Sequence, residues 1–490
     1  MELRRSSGIL LHPTSLPGPW GIGELGDEAR GFLDFLAGAG QRLWQVLPLG
    51  PTGYGDSPYQ TFSVFAGNPL LIGTDRLIAA GLLDPDVREE APAGRADRVD
   101  YGAVTRFKGR VLRRAYGRFQ PDADFARFRE EHAGWLDDYA LFMALKERHG
   151  GVAWGDWSPD LARRQPGALA RARADLAREV GYHQFTQWLF FRQWGDLKRE
   201  AGARGIAVVG DLPIFAAYDS ADVWANPEFF HLDAAGRPTV VAGVPPDYFS
   251  ATGQLWGNPL YRWEALERDG FRWWVERLRL SLALYDYVRI DHFRGFEAYW
   301  EIPAGEPTAI RGQWVKAPGA RLFATVREQL GELPIIAEDL GVITPEVEAL
   351  RDEFGLPGMK ILQFGFTDPD NPDLPHHYVP HRVVYTGTHD NDTTRGWYAS
   401  IPEGERDFAR RYLGRGGEDL DIAWDLIRAA FASVARFAVI PLQDVLDLGT
   451  EARMNYPGRL GGNWAWRYSA DALTPARRER LRDLAVLYSR

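Results

Sequence analysis

Short apolar runs, each followed closely by polar side chains, constrain the fold of this chain more than any other feature. Each run is shorter than a typical helix and too continuously apolar to alternate between a buried and an exposed face. Such runs predict the fully buried strands of a parallel sheet. Eight of them occur, at 8–11, 44–49, 206–209, 287–290, 334–337, 359–363, 383–386 and 438–442.

Amphipathic helical patterns separate these runs. Phe323, Val326 and Leu330 recur three or four residues apart ahead of the run at 334–337, and apolar residues between Tyr182 and Leu197 do the same ahead of the run at 206–209. Alternation of strands with helices favours a parallel sheet covered by helices. With eight strands, the sequence predicts the α/β class and a (β/α)₈ TIM barrel with insertions at its catalytic face.

We predict a single catalytic domain over residues 1–490 with two insertions. About 150 residues separate the second and third runs, which is more than one strand–helix unit needs. The stretch 50–200 is therefore expected to be a largely helical insertion. The stretch 212–285 is expected to be a second insertion that includes an active-site loop at 243–256.

The composition excludes several classes of partner. The chain of 490 residues has a net charge of −10, no cysteine and no run of five basic residues, which disfavours nucleic acids, anionic membranes and thiolate chemistry. No apolar run approaches the roughly 18 residues of a membrane span, and the apolar stretch near the N-terminus is too short for a secretory signal. We therefore expect a cytoplasmic protein with a neutral ligand and no obligate protein partner.

Four carboxylates follow four of the predicted strands closely. They are Asp211, Asp291, Glu338 and Asp390. The active site of a barrel lies at the C-terminal ends of its strands, so these groups are expected to converge on one pocket.

Each carboxylate taken alone allows two interpretations. Arg289 precedes Asp291 by two residues and points to the same side of a strand, so the pair is either a nucleophile kept ionised or a structural ion pair. Glu338 is either an acid catalyst whose pKa is raised by an apolar rim or an acidic residue at a helix N-terminus. His389 and Asp390 either bind sugar hydroxyls or belong to a polar turn.

Several longer motifs resemble a known family. VRIDHFRG (288–295), IIAEDLG (335–341) and YTGTHDND (385–392) resemble three of the four signature regions of the α-amylase superfamily. GDLPIF (210–215), AYDSADVW (217–224) and PPDYFSATGQLWGNPLY (245–261) are similar to the corresponding segments of amylomaltases, the 4-α-glucanotransferases. SGILLHPTSLPGPWGIGELG (7–26) and GYGDSPYQTFSVFAGNPLLI (53–72) extend the resemblance to almost the whole chain.

The resemblance implies roles for individual residues. Asp291 is expected to be the nucleophile, Glu338 the general acid and base, and Asp390 a stabiliser of the transition state. Tyr54 and Tyr101 are expected to form a second glucan contact outside the cleft. The remaining residues expected to bind substrate are Tyr59, Asp211, Tyr248, Phe249, Gln254, Trp256, Asn258, Arg289, His292 and His389.

The implied reaction is a retaining double displacement on α-1,4-glucans and maltooligosaccharides, without a metal or an organic cofactor. It moves a glucan segment to the 4-hydroxyl of glucose or of another glucan. The nearest alternative is a retaining α-glucan hydrolase with the same carboxylates.

Two further alternatives belong to other classes. A metal-dependent hydrolase is suggested by His376, His377, His381 and His389, but Pro380 interrupts the helix that would bring His377 and His381 together. A non-catalytic glucan-binding protein would need the aromatic residues but not four carboxylates at strand ends.

The segment 243–256 leads to a hypothesis about how water is excluded from the active site. Its two prolines, two glycines and small polar residues predict a loop. The adjacent Tyr248 and Phe249 either pack on the barrel rim or help to exclude water from the sugar ester of Asp291, which a transferase needs more than a hydrolase.

Overall fold

A computed structural model describes residues 3–246, 250–416, 421–459 and 461–490. Twelve strands lie in this part of the chain. They are β1 (Ser6–Leu10), β2 (Leu43–Gln45), β3 (Ala207–Pro213), β4 (Val240–Val244), β5 (Gln254–Pro259), β6 (Tyr287–Asp291), β7 (Ala298–Pro303), β8 (Gln313–Lys316), β9 (Ile335–Ala337), β10 (Gly358–Ile361), β11 (Arg382–Tyr385) and β12 (Phe437–Pro441).

Eight of these strands form a parallel barrel. Their order is β10-β11-β12-β1-β2-β3-β6-β9, and every pair is parallel. The first and last strands of this order meet through a hydrogen bond from the Ala337 amide to the Pro357 carbonyl at 2.9 Å, just before β10. The predicted (β/α)₈ architecture is confirmed, and each of the eight predicted apolar runs overlaps a barrel strand.

The structure corrects three of the predicted strand ends. The run at 44–49 forms a strand only as far as Gln45, and Pro48 has no amide hydrogen that could extend the ladder to the end of the run. Asp211 lies within β3 and Asp291 is the last residue of β6, rather than in the turns that follow. Both carboxylates are therefore held by the regular backbone of a strand.

Helices fill the segments between the strands. They are α1 (Asp27–Gly38), α2 (Thr74–Ala79), α3 (Tyr101–Arg118), α4 (Ala123–Glu131), α5 (Ala133–Arg148), α6 (Pro159–Ala162), α7 (Pro166–Asp175), α8 (Ala177–Ala203), α9 (Ala221–Ala225), α10 (Trp263–Arg268), α11 (Arg272–Leu284), α12 (Gly319–Leu330), α13 (Pro345–Glu353), α14 (Thr394–Ser400), α15 (Glu403–Leu413), α16 (Ile422–Ala432), α17 (Leu442–Val445) and α18 (Pro475–Leu487). Helices α2–α8 all lie between β2 and β3. No helix in the described ranges is both long and apolar enough to cross a bilayer.

The segments between β3 and β6 and between β6 and β9 contain a second sheet that the sequence did not predict. Strands β4 and β5 of the first segment and β7 and β8 of the second form an antiparallel sheet in the order β5-β4-β7-β8. The prediction of a loop over 243–256 is therefore wrong at both ends, which belong to the paired strands β4 and β5. Glycine fits β4 because a Cβ at Gly243 would lie 2.3 Å from the Gln254 carbonyl oxygen, so its presence reflects close packing and not a turn.

Candidate active site

An ion-pair network joins β3 and β6 at the carboxyl end of the barrel. Arg289 lies beside Asp211 in the parallel register, and its Nη1 donates to both oxygens of that carboxylate at 2.8 and 2.7 Å. Its Nη2 donates to Asp291 Oδ1 at 2.8 Å. The Tyr59 hydroxyl donates to Asp211 Oδ2 at 2.8 Å. One buried guanidinium therefore orients two carboxylates at once.

Glu338 stands next to Asp291 across neighbouring strands. Ile290 pairs with Ala337, and the two acids are the next residues along β6 and β9. Glu338 accepts the His292 amide at 2.6 Å and the Leu340 amide at 2.8 Å, and within the described ranges no cationic side chain hydrogen-bonds to it. The two carboxylates thus share one site but have different electrostatic partners.

These different partners determine which of the two carboxyl groups, Asp291 or Glu338, carries a proton. Burial and the neighbouring Asp291 raise the pKa of Glu338 to about 7, against the pull of Arg289. Burial also raises the pKa of Asp291, but Arg289 opposes that rise through a direct hydrogen bond. At neutral pH the arrangement favours an ionised Asp291 beside a protonated Glu338, which are the states that a nucleophile and a general acid require.

Asp390 follows β11 and faces the same rim. Its Oδ1 accepts a hydrogen bond from Asn455 Nδ2 at 2.6 Å and lies 3.4 Å from His389 Nε2. The His389 ring stacks on Tyr59, with the ring centroids 5.2 Å apart. Tyr59 therefore links the Asp211 side of the rim to the Asp390 side.

His292 has an unusual backbone conformation directly after Asp291. Its φ of 53° lies in the left-handed region, which is costly for a residue with a side chain. In this conformation the His292 amide donates a hydrogen bond to Glu338. The His292 ring contacts Trp256 edge to face, with the ring centroids 4.8 Å apart. Burial lowers the pKa of His292 to about 3, so the ring is neutral at physiological pH.

The residues expected in the adjacent subsites occupy different environments. Gln254 and Trp256 are partly exposed on β5, and the indole nitrogen donates to Gln254 Oε1 at 3.1 Å. Asn258 is buried; its side-chain oxygen accepts a hydrogen bond from Gln60 Nε2 at 3.1 Å, and its Nδ2 donates to the Ala216 carbonyl at 3.0 Å. The contact of Asn258 with substrate stays a prediction.

The two tyrosines expected to form an outer glucan contact also differ. The Tyr54 side chain is 72% exposed, in a 3₁₀ turn that leaves its ring open to solvent. Tyr101 is only 8% exposed, and its hydroxyl donates to the Trp464 carbonyl at 2.9 Å, so its part in a glucan contact stays a prediction. Tyr248 and Phe249 lie outside the described residues, so the water-exclusion hypothesis stays a prediction.

Three functional neighbours escaped the sequence analysis. Asn455 holds Asp390, Arg453 donates to the Asp390 carbonyl at 2.6 Å, and Trp464 packs against His389 and Tyr59. All three come from the stretch after β12. The sequence does contain a feature that points to these residues. Polar and aromatic residues in a Gly-rich stretch directly after the last barrel strand are expected at the carboxyl end of the barrel, where the active site lies.

The histidines singled out for a metal site have separate partners. His376 contacts the Tyr412 hydroxyl at 2.9 Å, His377 the Pro369 carbonyl at 3.1 Å and His381 the Gly355 carbonyl at 3.0 Å. Among the residues that the structure describes, no group of three or more His, Asp or Glu side chains is placed to hold a metal ion.

The barrel, with buried carboxylates together at its carboxyl rim, defines a (β/α)₈ protein of the class whose active sites lie at that rim. A model of the 4-α-glucanotransferase family matches residues 11–474. The chain belongs to the 4-α-glucanotransferase family, as the motifs of its sequence indicate, and the expectation of a transferase is confirmed.

Relatives support this assignment over the full length. The chain is 60% identical to a 4-α-glucanotransferase of Thermus thermophilus, over 99% of each chain. It is 53% identical to one of Synechocystis, over 99% of this chain and 98% of that one. An amylomaltase from Streptococcus agalactiae, solved in complex with acarbose, matches with a TM-score of 0.97 at 41% identity, over 99% of this chain and 100% of that one.

Proposed function

We propose that this enzyme transfers segments of α-1,4-glucan by a retaining double displacement in which Asp291 is the nucleophile and Glu338 the acid and base. The observation that carries the proposal is the unequal pair of carboxylates, one bonded to Arg289 and one with a pKa raised to about 7. The acarbose complex of the related Streptococcus agalactiae protein supports an oligosaccharide ligand.

In the first step, Asp291 attacks the anomeric carbon while Glu338 protonates the departing glycosidic oxygen. The bond between the anomeric carbon and that oxygen breaks, and a sugar ester forms on Asp291. In the second step, the ionised Glu338 removes the proton from the 4-hydroxyl of an acceptor glucan. The acceptor oxygen displaces Asp291, so two inversions retain the α configuration.

The other rim residues support these steps. Asp390, oriented by Asn455, stabilises the positive charge that develops on the sugar ring. Asp211 and Arg289 bind the sugar at the cleavage subsite and keep the nucleophile in place. Tyr59 and His389 form an aromatic wall for the same sugar, and Trp256 borders the next subsite.

An activated donor tests both assignments in one experiment. Glu338→Gln is expected to reduce turnover of maltotriose by about 10²–10⁴-fold, because one group serves both steps. An α-glucosyl fluoride needs little acid assistance to leave, so this variant still forms the ester but resolves it slowly. Mass spectrometry should therefore find a glucosyl adduct on the peptide that contains Asp291.

The matched control is Asp291→Asn, which should give no adduct with the same donor. Near-normal turnover by Glu338→Gln would rule out its role as acid and base. An adduct mapped to another carboxylate would rule out Asp291 as the nucleophile.

The products from pure maltotriose separate transfer from hydrolysis. Transfer yields glucose together with longer maltooligosaccharides, whereas hydrolysis yields glucose and maltose alone. We expect the redistributed series, and its absence would favour the hydrolase alternative.

A further inference from the structure

An exposed tryptophan lies on the small antiparallel sheet, outside the acidic cluster. Trp314 belongs to β8, an edge strand of that sheet, and its side chain is 39% exposed. A large aromatic side chain with this exposure is uncommon without a use. None of the catalytic steps above involves it.

The ring of Trp314 is held in place before any ligand arrives. The guanidinium of Arg294 lies over the indole at 3.7 Å from the ring centroid. Trp300, its cross-strand partner on β7, meets it edge to face with the centroids 5.2 Å apart. A ring fixed in this way loses little conformational freedom on binding, which favours affinity.

The same arginine connects this ring to both catalytic segments. Arg294 is the third residue after Asp291, and its Nη1 donates to the carbonyl of Val342, the fourth residue after Glu338. The Val342 side chain is 55% exposed. Trp314 therefore lies against the junction of the segments that follow the nucleophile and the acid/base.

We propose that Trp314 forms a glucan subsite beyond the cleavage point, with Val342 beside it, that binds the leaving chain and then the acceptor chain. The inference rests on the proposed function, because Glu338 must protonate the leaving oxygen and the chain attached to that oxygen must pass the Glu338 side of the rim. The apolar face of a glucose unit packs on an aromatic ring, which is the kind of surface that Trp314 offers.

Another copy of this chain is the alternative occupant, through pairing of edge strands. The strand β8 is only four residues long and ends at the exposed Lys316, features that discourage such pairing. Trp314 on this strand is connected through Arg294 to the segments that follow Asp291 and Glu338, which favours a glucan chain as the occupant over a second copy.

The test measures affinity without turnover, in the Glu338→Gln background. Calorimetric titration with maltoheptaose is expected to show a dissociation constant raised about tenfold by Trp314→Ala, equivalent to about 1.4 kcal/mol. The loss with maltotriose should be clearly smaller, because a short ligand in the cleft does not reach the ring. Trp314→Tyr keeps an aromatic platform and should recover most of the affinity, which separates loss of stacking from local misfolding.

The matched control is Val486→Ala, which removes an exposed apolar side chain from α18, a helix packed on α1 and α16. Equal affinities of the Trp314→Ala protein and its parent for maltoheptaose would overturn the inference and leave the proposed function intact. Failure of the parent to bind either oligosaccharide would instead reject the proposed function. A dimer that dissociates on Trp314→Ala in sedimentation, without a change in glucan affinity, would assign the surface to a second copy and also overturn the inference.

Discussion

At the scale of single residues, the chemistry depends on which neighbour each carboxylate has. Asp291 receives a hydrogen bond from the Arg289 guanidinium, and Glu338 receives only backbone amides. A nearby cation favours the ionised form of an acid, whereas burial and a nearby carboxylate favour the protonated form. These environments therefore favour an ionised Asp291 and a protonated Glu338, which is the basis of the roles proposed for them.

The pH dependence of transfer follows from these environments. In the proposed mechanism Glu338 must be protonated to begin the reaction, so kcat/KM for maltotriose is expected to fall as the pH rises through about 7. Asp291 must be ionised, so kcat/KM also falls in acid, where that carboxylate gains a proton. Initial rates from about pH 4 to about pH 9 check this bell-shaped profile. Circular dichroism at each pH controls for unfolding, and a rate that stays constant well above pH 7 would contradict the role of Glu338 as the acid.

At the scale of elements, the antiparallel pair β4–β5 positions part of the substrate cleft. Gly243 lies opposite Leu255, and Gln254 and Trp256 flank that residue on β5. Trp256 in turn contacts the His292 ring beside the nucleophile. The closely packed strands β4 and β5 are thus connected to the residues around Asp291 by the contact between Trp256 and His292.

Enlarging Gly243 tests this connection. In Gly243→Ala the new Cβ would lie 2.3 Å from the Gln254 carbonyl, so β5 must shift and move Trp256 with it. We expect a destabilisation of about 1–3 kcal/mol and a transfer rate on maltotriose reduced by a larger factor than stability alone explains. Thermal midpoints and initial rates measure the two effects.

The matched control is Gly31→Ala in α1, where the added methyl group meets no atom within 4 Å. It should leave both the midpoint and the rate close to their parent values. An unchanged rate in Gly243→Ala would show that β5 does not position the cleft.

At the scale of the whole molecule, a buried ion pair joins the helices between β2 and β3 to an N-terminal loop. Lys108 on α3 pairs with Glu24, and the two residues are 1% and 3% exposed. Glu24 also accepts hydrogen bonds from the amide and hydroxyl of Thr74 at the start of α2. Burial raises the pKa of Glu24 while Lys108 pulls it down.

Removing the cation should therefore destabilise the enzyme as a whole. Lys108→Met leaves a buried carboxylate without its partner, at a cost of about 3–5 kcal/mol. The pKa of Glu24 in the folded variant rises further above its unfolded value, so the loss grows as the pH increases. Thermal midpoints at about pH 5 and about pH 8 measure this trend.

The double variant Glu24→Gln with Lys108→Met should regain part of the stability, because no charge remains buried. One cooperative transition is expected in every variant. A separate, earlier transition for the helices would show that they fold as an independent unit.

Much of the catalytic rim was predictable because its residues are adjacent in sequence to the elements that hold them. Asp291 and Glu338 stand at the ends of apolar runs, and parallel strands bring their carboxyl ends together wherever the barrel closes. The motifs around them carried the family resemblance for the same reason, since each motif is a strand end and its following turn.

Contacts between residues distant in sequence were decided only by the tertiary structure. Asn455 reaches Asp390 across 65 residues, and Tyr101 is buried under Trp464 from 363 residues away. The segment 243–256 reads locally as a loop, yet its ends pair as β4 and β5 because their backbones meet across a gap that only glycine allows. Apolar periodicity and turn residues are local features and can therefore be recognised in the sequence. The burial of a side chain and the pairing of two strands depend on which distant surfaces meet when the chain folds.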